Sequence, residues 1–145
     1  MPLVIRPASN SDIPGIVDVI RSVFDEYSFT WEEDGYHADL YDIEAHYSDK
    51  GHTFFVAELD GKVIGTVAIE RFERLGGENG SLEFTDGFIR VCGCDCSLER
   101  LYVHPDARKC GAGGKLITQV VNTAKAEGRN ARELWSDKRF VDAHR

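Results

Sequence analysis

Ile13, Ile16, Val17, Ile20, Val23 and Phe24 recur at the three-and-four spacing of one helix face. Ser9, Asn10, Ser11 and Asp12 offer N-caps just before it, and Pro14 falls in the first turn, where a missing N–H costs nothing. Ahead of this helix, Leu3-Val4-Ile5-Arg6 reads as a short strand closed by Pro7. Leu40, Ile43 and Tyr47 make one face of a second, short helix. The period then changes. Residues 53–59 and 63–69 are rich in β-branched and aromatic side chains and flank Asp60-Gly61, a strong two-residue hairpin signal. Residues 73–87 carry Gly76, Gly77, Gly80 and Asp86-Gly87 and read as a loop, and Phe88-Ile89-Arg90-Val91 as another short strand. A strand over 97–103 stops at His104-Pro105-Asp106. A helix then runs from about Gly114 to Glu127, with Leu116, Ile117, Val120, Val121 and Ala124 on one face and Gly128 as C-cap. Glu133-Leu134-Trp135 begins a last strand, and residues 137–145 start another helix. The order predicts a mixed α/β (α+β) fold with a hairpin-rich first half and one β-α-β crossover.

The 145 residues fit a single domain, 1–145, and 42% hydrophobic content is enough for a packed core. No apolar run reaches the roughly 18–20 residues of a membrane span. Met1-Pro2-Leu3-Val4-Ile5-Arg6 lacks the basic start and apolar stretch of a signal peptide. With 25 acidic against 17 basic residues the net charge is −8, which argues against nucleic-acid or anionic-membrane partners and favours a cationic small one. Without a secretory signal, the four cysteines read as reduced thiols in a cytoplasm.

The strand-turn-helix at 97–127 carries the candidate chemistry. Gly111 and Gly113 let backbone approach a ligand closely, and the free N–H groups opening the following helix suit a phosphate or pyrophosphate. Arg108, Lys109 and Lys115 add positive charge to an otherwise acidic chain. A P-loop fails twice here, with Lys109 at its first glycine and Leu116 at its hydroxyl position. A dinucleotide fingerprint fails at Leu116 and lacks the early strand and downstream β-α-β units. The pattern [QR]-x-x-G-x-[GA] matches Arg108-Lys109-Cys110-Gly111-Ala112-Gly113. The competing reading is a glycine-rich turn that serves only close strand–helix packing.

Together with Leu98-Glu99-Arg100-Leu101-Tyr102-Val103-His104-Pro105 upstream and Leu116 downstream, this turn resembles the GNAT superfamily of acyl-CoA-dependent N-acetyltransferases. The resemblance covers nearly the whole chain. It implies a mixed, mostly antiparallel central sheet flanked by helices, and acetyl-CoA as cosubstrate, with no metal. The pantetheine arm would lie where the strand at 98–103 splays from the strand at 133–136, pairing with the backbone of Leu101 and Val103 beside Tyr102. The pyrophosphate would sit on the N–H groups of Lys109, Cys110, Gly111, Ala112, Gly113 and Gly114, near Arg108. The Val103 N–H would polarise the thioester carbonyl.

Acyl transfer needs a neutral amine, so a base is expected, directly or through water. The glutamate usual in the family falls at Ser97 in this chain. Glu99, two residues on and on the same strand face, is the candidate base, with Glu70 on the hairpin as the second. His104, in a turn beside Pro105, reads as structural or exposed. The tyrosine that the family uses as acid would lie just after Arg145, and Phe140 stands where many members carry an asparagine facing coenzyme A. A cut two-turn helix and an uncovered sheet edge make the chain read as truncated at its C-terminus.

Cys92-x-Cys94-x-Cys96 is poorly spaced for tetrahedral zinc and reads as small buried or edge residues. Cys110, beside Arg108 and Lys109, sits where a thiol pKa falls and where oxidation would hinder the cofactor. The acidic and aromatic segment 25–47 would, by the resemblance, wall the acceptor site. Its carboxylates would draw in a protonated amine; the competing reading is a solvated loop with its aromatics in the core. Two functions follow: an N-acetyltransferase acting on a small amine or an amino terminus, possible as a homodimer, and a non-catalytic coenzyme A-binding or sensor domain of the same fold.

Overall fold

The computed structural model describes residues 3–72, 82–85, 88–91, 95–129 and 133–134, of which 82–85, 88–91 and 133–134 are described by backbone alone. In chain order the elements are β1 (Leu3–Pro7), α1 (Ile13–Glu26), α2 (Ile43–His46), β2 (Thr53–Leu59), β3 (Lys62–Arg71), β4 (Leu82–Thr85), β5 (Phe88–Val91), β6 (Cys96–Val103), α3 (Ala112–Ala126) and β7 (Glu133–Leu134). The main sheet runs β1-β2-β3-β6-β7. Its first four strands are antiparallel neighbours, and β7 joins β6 in parallel, giving the expected mixed sheet flanked by helices.

Two apolar layers follow from strand alternation. On one face Ile16, Val19, Ile20, Val23 and Phe24 of α1 pack on Phe54, Val56, Ala68 and Tyr102, with Leu40, Ile43 and Tyr47 closing over them. On the other, Ala112, Leu116, Val120 and Ala124 of α3 pack on Phe55, Ala57, Val67, Ile69, Cys96 and Leu98. Asp60 and Gly61 both have positive φ, 55° and 80°, as a type I′ hairpin turn requires.

Several elements differ from the sequence reading. The second helix is broken: Ala38–Tyr41 winds as a 3₁₀ turn, Asp42 leaves helical geometry, and its carboxylate caps the Ala45 N–H of α2. Residues 82–85 form a strand inside the expected loop and pair with β5 in a separate hairpin. Helix α3 begins at Ala112, which puts Gly113 and Gly114 inside its first turn, and Ile117 is exposed rather than on the core face. The helix expected over 137–145, with Phe140, lies outside the described residues, as do Cys92 and Cys94. Among the described residues no helix is long and apolar enough to cross a membrane.

Candidate active site

Strand β6 bends at Arg100. Thr66 pairs with Tyr102 and Ala68 with Glu99, so Arg100 and Leu101 together oppose Val67. Arg100 has φ 53°, the left-handed residue of a β-bulge. Its carbonyl accepts the Thr66 hydroxyl at 2.8 Å. The bulge slips the side-chain alternation by one. Cys96, Leu98, Leu101 and Val103 therefore face α3, while Tyr102 enters the α1 layer. Beyond it, the His104 N–H donates to Ile64 O at 2.8 Å, flanking the Val103–Gly65 pair. In an antiparallel ladder that makes Val103 a non-hydrogen-bonded position relative to β3, so its own N–H points to the far side of the strand. There β7 pairs only with Ser97 and Leu98 among the described residues, leaving the edge at Val103 beyond that short ladder.

The glycine-rich turn adjoins this edge. Pro105–Cys110 forms a 3₁₀ turn, and Gly111, at φ 83°, is the N-cap that redirects the chain into the 15-residue helix α3. A Cβ placed on Gly111 or Gly114 would meet nothing within 4 Å, and one on Gly113 would meet only Val103 Cγ2, at 3.7 Å. Packing therefore does not require these glycines, whereas Gly65 is different: its Cβ would stand 2.9 Å from Leu116 Cδ1. The close strand–helix approach is at Gly65, and the turn at 111–114 opens outward from a helix N-terminus. Lys109, Cys110 and Lys115 are exposed there. Arg108 is not free for an anion: its guanidinium grips the Glu26 carboxylate at 2.6 and 2.7 Å, tying the turn to the end of α1.

The candidate bases lie on the opposite face of β6 from α3. Ser97 is fully buried and its hydroxyl donates to Glu99 Oε1 at 2.7 Å. Glu70 is the cross-strand partner of Ser97, so both candidate carboxylates share that face with the serine between them. His104 caps the turn, accepting the Asp106 N–H at Nδ1 (3.1 Å), the structural role expected of it. Cys96 points into the α3 core. Among the described residues no three His, Cys, Asp or Glu groups are set to hold a metal ion.

One cluster escaped the sequence reading. Arg100, its side chain 10% exposed, donates from Nε and Nη2 to both Asp39 oxygens and from Nη2 to the Tyr36 carbonyl. Its guanidinium lies 4.6 Å from the Tyr36 ring centroid. Asp39 also accepts the Tyr47 hydroxyl. Burial, the largest single influence, would lower the Arg100 pKa, but the charge and hydrogen bonds of Asp39 together with the nearby Tyr47 and Tyr102 hydroxyls outweigh it and raise the pKa, so the group stays protonated. Burial pushes the Tyr47 and Tyr102 hydroxyls well above their usual range. Beside them His37 is fully buried, stacked 3.8 Å from Trp31, and its Nδ1 accepts the Glu32 N–H. Burial, reinforced by Arg100, lowers its pKa to about 4, so the ring is neutral. Part of the segment 25–47 is thus core, and part stays open: Tyr36 is 51% exposed, and Glu32, Glu33 and Asp34 are exposed with it. No local sequence pattern marks Asp39 as the partner of Arg100, because 61 residues separate them.

Known proteins resemble this chain in sequence and in fold. The chain is 30% identical over 127 residues to the uncharacterized N-acetyltransferase YjgM of Escherichia coli (strain K12), which covers 86% of this chain and 66% of that protein. It is 34% identical over 94 residues to the probable N-acetyltransferase camello of Xenopus tropicalis, covering 64% of this chain and 35% of that one. The chain thus spans less than two thirds of the length of either relative. Among solved structures, a GNAT acetyltransferase of Staphylococcus aureus Mu50 superposes with a TM-score of 0.76 at 21% identity, over 99% of this chain and 79% of that one. A predicted acetyltransferase of Clostridium acetobutylicum, solved with acetyl-CoA, gives 0.66 at 17% identity, over 99% of this chain and 86% of that one. These likenesses show the fold. The model of the acetyltransferase (GNAT) family matches residues 17–145, and the chain belongs to that family.

Proposed function

We propose that the chain is a cytoplasmic acetyl-CoA-dependent N-acetyltransferase that passes the acetyl group to a primary amine, of a small molecule or of an amino terminus, by direct attack on the thioester. The observation that carries this reading is the outward-opening turn at Gly111–Gly114, set at a helix N-terminus beside the edge of β6 where the Val103 N–H points away from β3. A pyrophosphate fits the unhindered N–H groups of that turn. The pantetheine arm fits the strand edge at Leu101–Val103 as a further strand would. The thioester carbonyl then falls to the Val103 N–H, which stabilises negative charge as the amine nitrogen bonds to the carbonyl carbon and the C–S bond breaks, releasing coenzyme A as its thiolate, which takes up a proton from water.

Glu99 is the proposed base. It takes the amine proton, directly or through water, and Ser97 holds one of its oxygens by the 2.7 Å hydrogen bond. Glu70, across from Ser97, is the alternative proton acceptor on the same face. The exposed carboxylates of Glu32, Glu33 and Asp34 draw a protonated amine towards that side of the sheet. Titration of acetyl-CoA and, separately, ATP, read by thermal shift, tests the cofactor assignment: stabilisation by acetyl-CoA alone is expected, and stabilisation by ATP alone overturns it. Thiol release from acetyl-CoA with a panel of primary amines tests the transfer. Binding without release for every amine would favour the non-catalytic reading.

A further inference from the structure

We propose that Arg100 is a positioning residue that fastens the acceptor-side segment 36–47 to the cofactor strand at its bulge. The inference rests on the acetyltransferase reading and deepens it. Arg100 stands where the two halves of the site meet. Its backbone makes the left-handed bulge, a conformation that costs a non-glycine residue about 1–2 kcal/mol. Strain of this kind persists only where the surroundings over-determine it. Here they do: Thr66 holds the Arg100 carbonyl, and Asp39 and the Tyr36 carbonyl hold its guanidinium. Asp39 in turn holds Tyr47, whose ring packs on Phe54 of β2 at 5.0 Å. The side chain therefore crosses from the strand that would carry the thioester to the segment that would carry the amine. A glycine at position 100 would suit the bulge better than arginine. The backbone alone does not call for arginine; the contacts of the side chain do.

This separates two properties that one residue now serves. In Arg100→Gly the bulge persists, because glycine adopts positive φ freely, while the tie to Asp39 and Tyr36 is lost. Combining it with Asp39→Asn avoids leaving an uncompensated carboxylate. The experiment compares the wild type, Asp39→Asn and the Asp39→Asn/Arg100→Gly double variant. Acetyl-CoA binding is measured by calorimetry, amide exchange over 36–47 by mass spectrometry, and steady-state kinetics with every amine of the panel that the wild type acetylates. The expected result is acetyl-CoA affinity within about threefold of wild type, exchange over 36–47 at least tenfold faster, and kcat/KM for the amine at least tenfold lower through KM. Unchanged exchange in both variants overturns the proposal. So does an unchanged amine KM, and so does loss of acetyl-CoA binding together with amine binding, which would make Arg100 a support of the bulge alone. Failure of the wild type itself to bind acetyl-CoA sinks the acetyltransferase reading and this inference with it. Should the double variant not fold, Asp39→Asn alone decides by the same three measurements.

Discussion

Gly111→Val, set against Gly128→Val, isolates the anion seat from everything else helix α3 does. The two glycines stand at opposite ends of that helix. Gly111 has φ 83° and Gly128 φ 75°, and a Cβ at either would meet nothing within 4 Å. Gly128 closes a Schellman turn: its N–H donates to Lys125 O at 3.0 Å, and the Arg129 N–H donates to Ala124 O at 2.9 Å. Valine at either position suffers the same left-handed strain, about 1–2 kcal/mol or somewhat more for a β-branched residue. In a domain of this size that lowers Tm by roughly 2–8 °C. Stability should therefore fall alike in the two variants. Binding should not. At Gly111 the added isopropyl group stands over the helix N-terminus and keeps a pyrophosphate from the N–H donors. Losing one or two charge-assisted hydrogen bonds, at about 1.5–3 kcal/mol each, corresponds to binding weaker by at least about tenfold, and by roughly a hundredfold or more if two are lost. Calorimetric titration with acetyl-CoA and thermal unfolding without it measure the two quantities. Acetyl-CoA affinity in Gly111→Val equal to that in Gly128→Val, whether both are intact or both are lost, would refute the assignment of the turn.

Gly114→Ala should raise stability by about 0.4–1 kcal/mol, since its Cβ meets open space in a helical turn, while weakening acetyl-CoA binding; thermal shift with and without the cosubstrate reads both. Gly65→Ala should destabilise by about 1–3 kcal/mol, because its Cβ would stand 2.9 Å from the buried Leu116 Cδ1 and 3.3 Å from the Tyr102 carbonyl; urea unfolding checks it. Glu99→Gln should lower kcat/KM about 10²–10⁴-fold and abolish the acidic limb of its pH profile; an intact limb would move the base to Glu70. His37 titrates near 6.5 in the unfolded chain and near 4 in the fold, so its neutral form stabilises the protein fully above pH 6.5 and loses that contribution as pH falls towards 4, by up to about 3 kcal/mol. Chemical denaturation between pH 7 and 4.5 should therefore show a shallower decline in His37→Gln than in the wild type.

Periodicity and turn chemistry located most of the fold. The α1 face, the β2–β3 hairpin with its Asp60-Gly61 turn, and the Gly128 cap are local signals, written within a few residues, and the structure places each where its pattern lies. Local signals also misled. The glycines at 76, 77 and 80 outweighed the weak strand pattern of Leu82-Glu83-Phe84-Thr85, whose support comes from its pairing with β5. Gly113 and Gly114 are poor helix formers, so the sequence pattern places the start of α3 two residues after Ala112; the αL cap at Gly111 decides it. The candidate site was legible where it is a motif, at 108–114, and illegible where it depends on distant partners. Arg108 carries the motif's charge, yet Glu26 takes it up from 82 residues away. The bulge at Arg100 had no glycine to announce it.

These two arginines bear on how an acidic chain would seat a polyanion. The net charge is −8, so the field of the whole protein opposes an anionic cosubstrate at long range. The arginine nearest the turn is paired with Glu26, and the other, Arg100, is paired with Asp39 on the opposite side of the strand. What remains at the turn is the helix N-terminus with its glycine-cleared N–H groups, and the exposed Lys109 and Lys115 around it. Attraction of that kind acts over the first turn of a helix and little further, and salt screens it beyond a Debye length of about 10 Å. Recognition at the proposed seat would thus be short-range, resting on backbone donors. The exposed carboxylates of the acceptor segment, by contrast, act at long range on a partner of opposite charge. On the proposed reading, the same acidic balance that would penalise the cosubstrate at a distance would steer a protonated amine to the other face of the strand, where Glu99 is the proposed base.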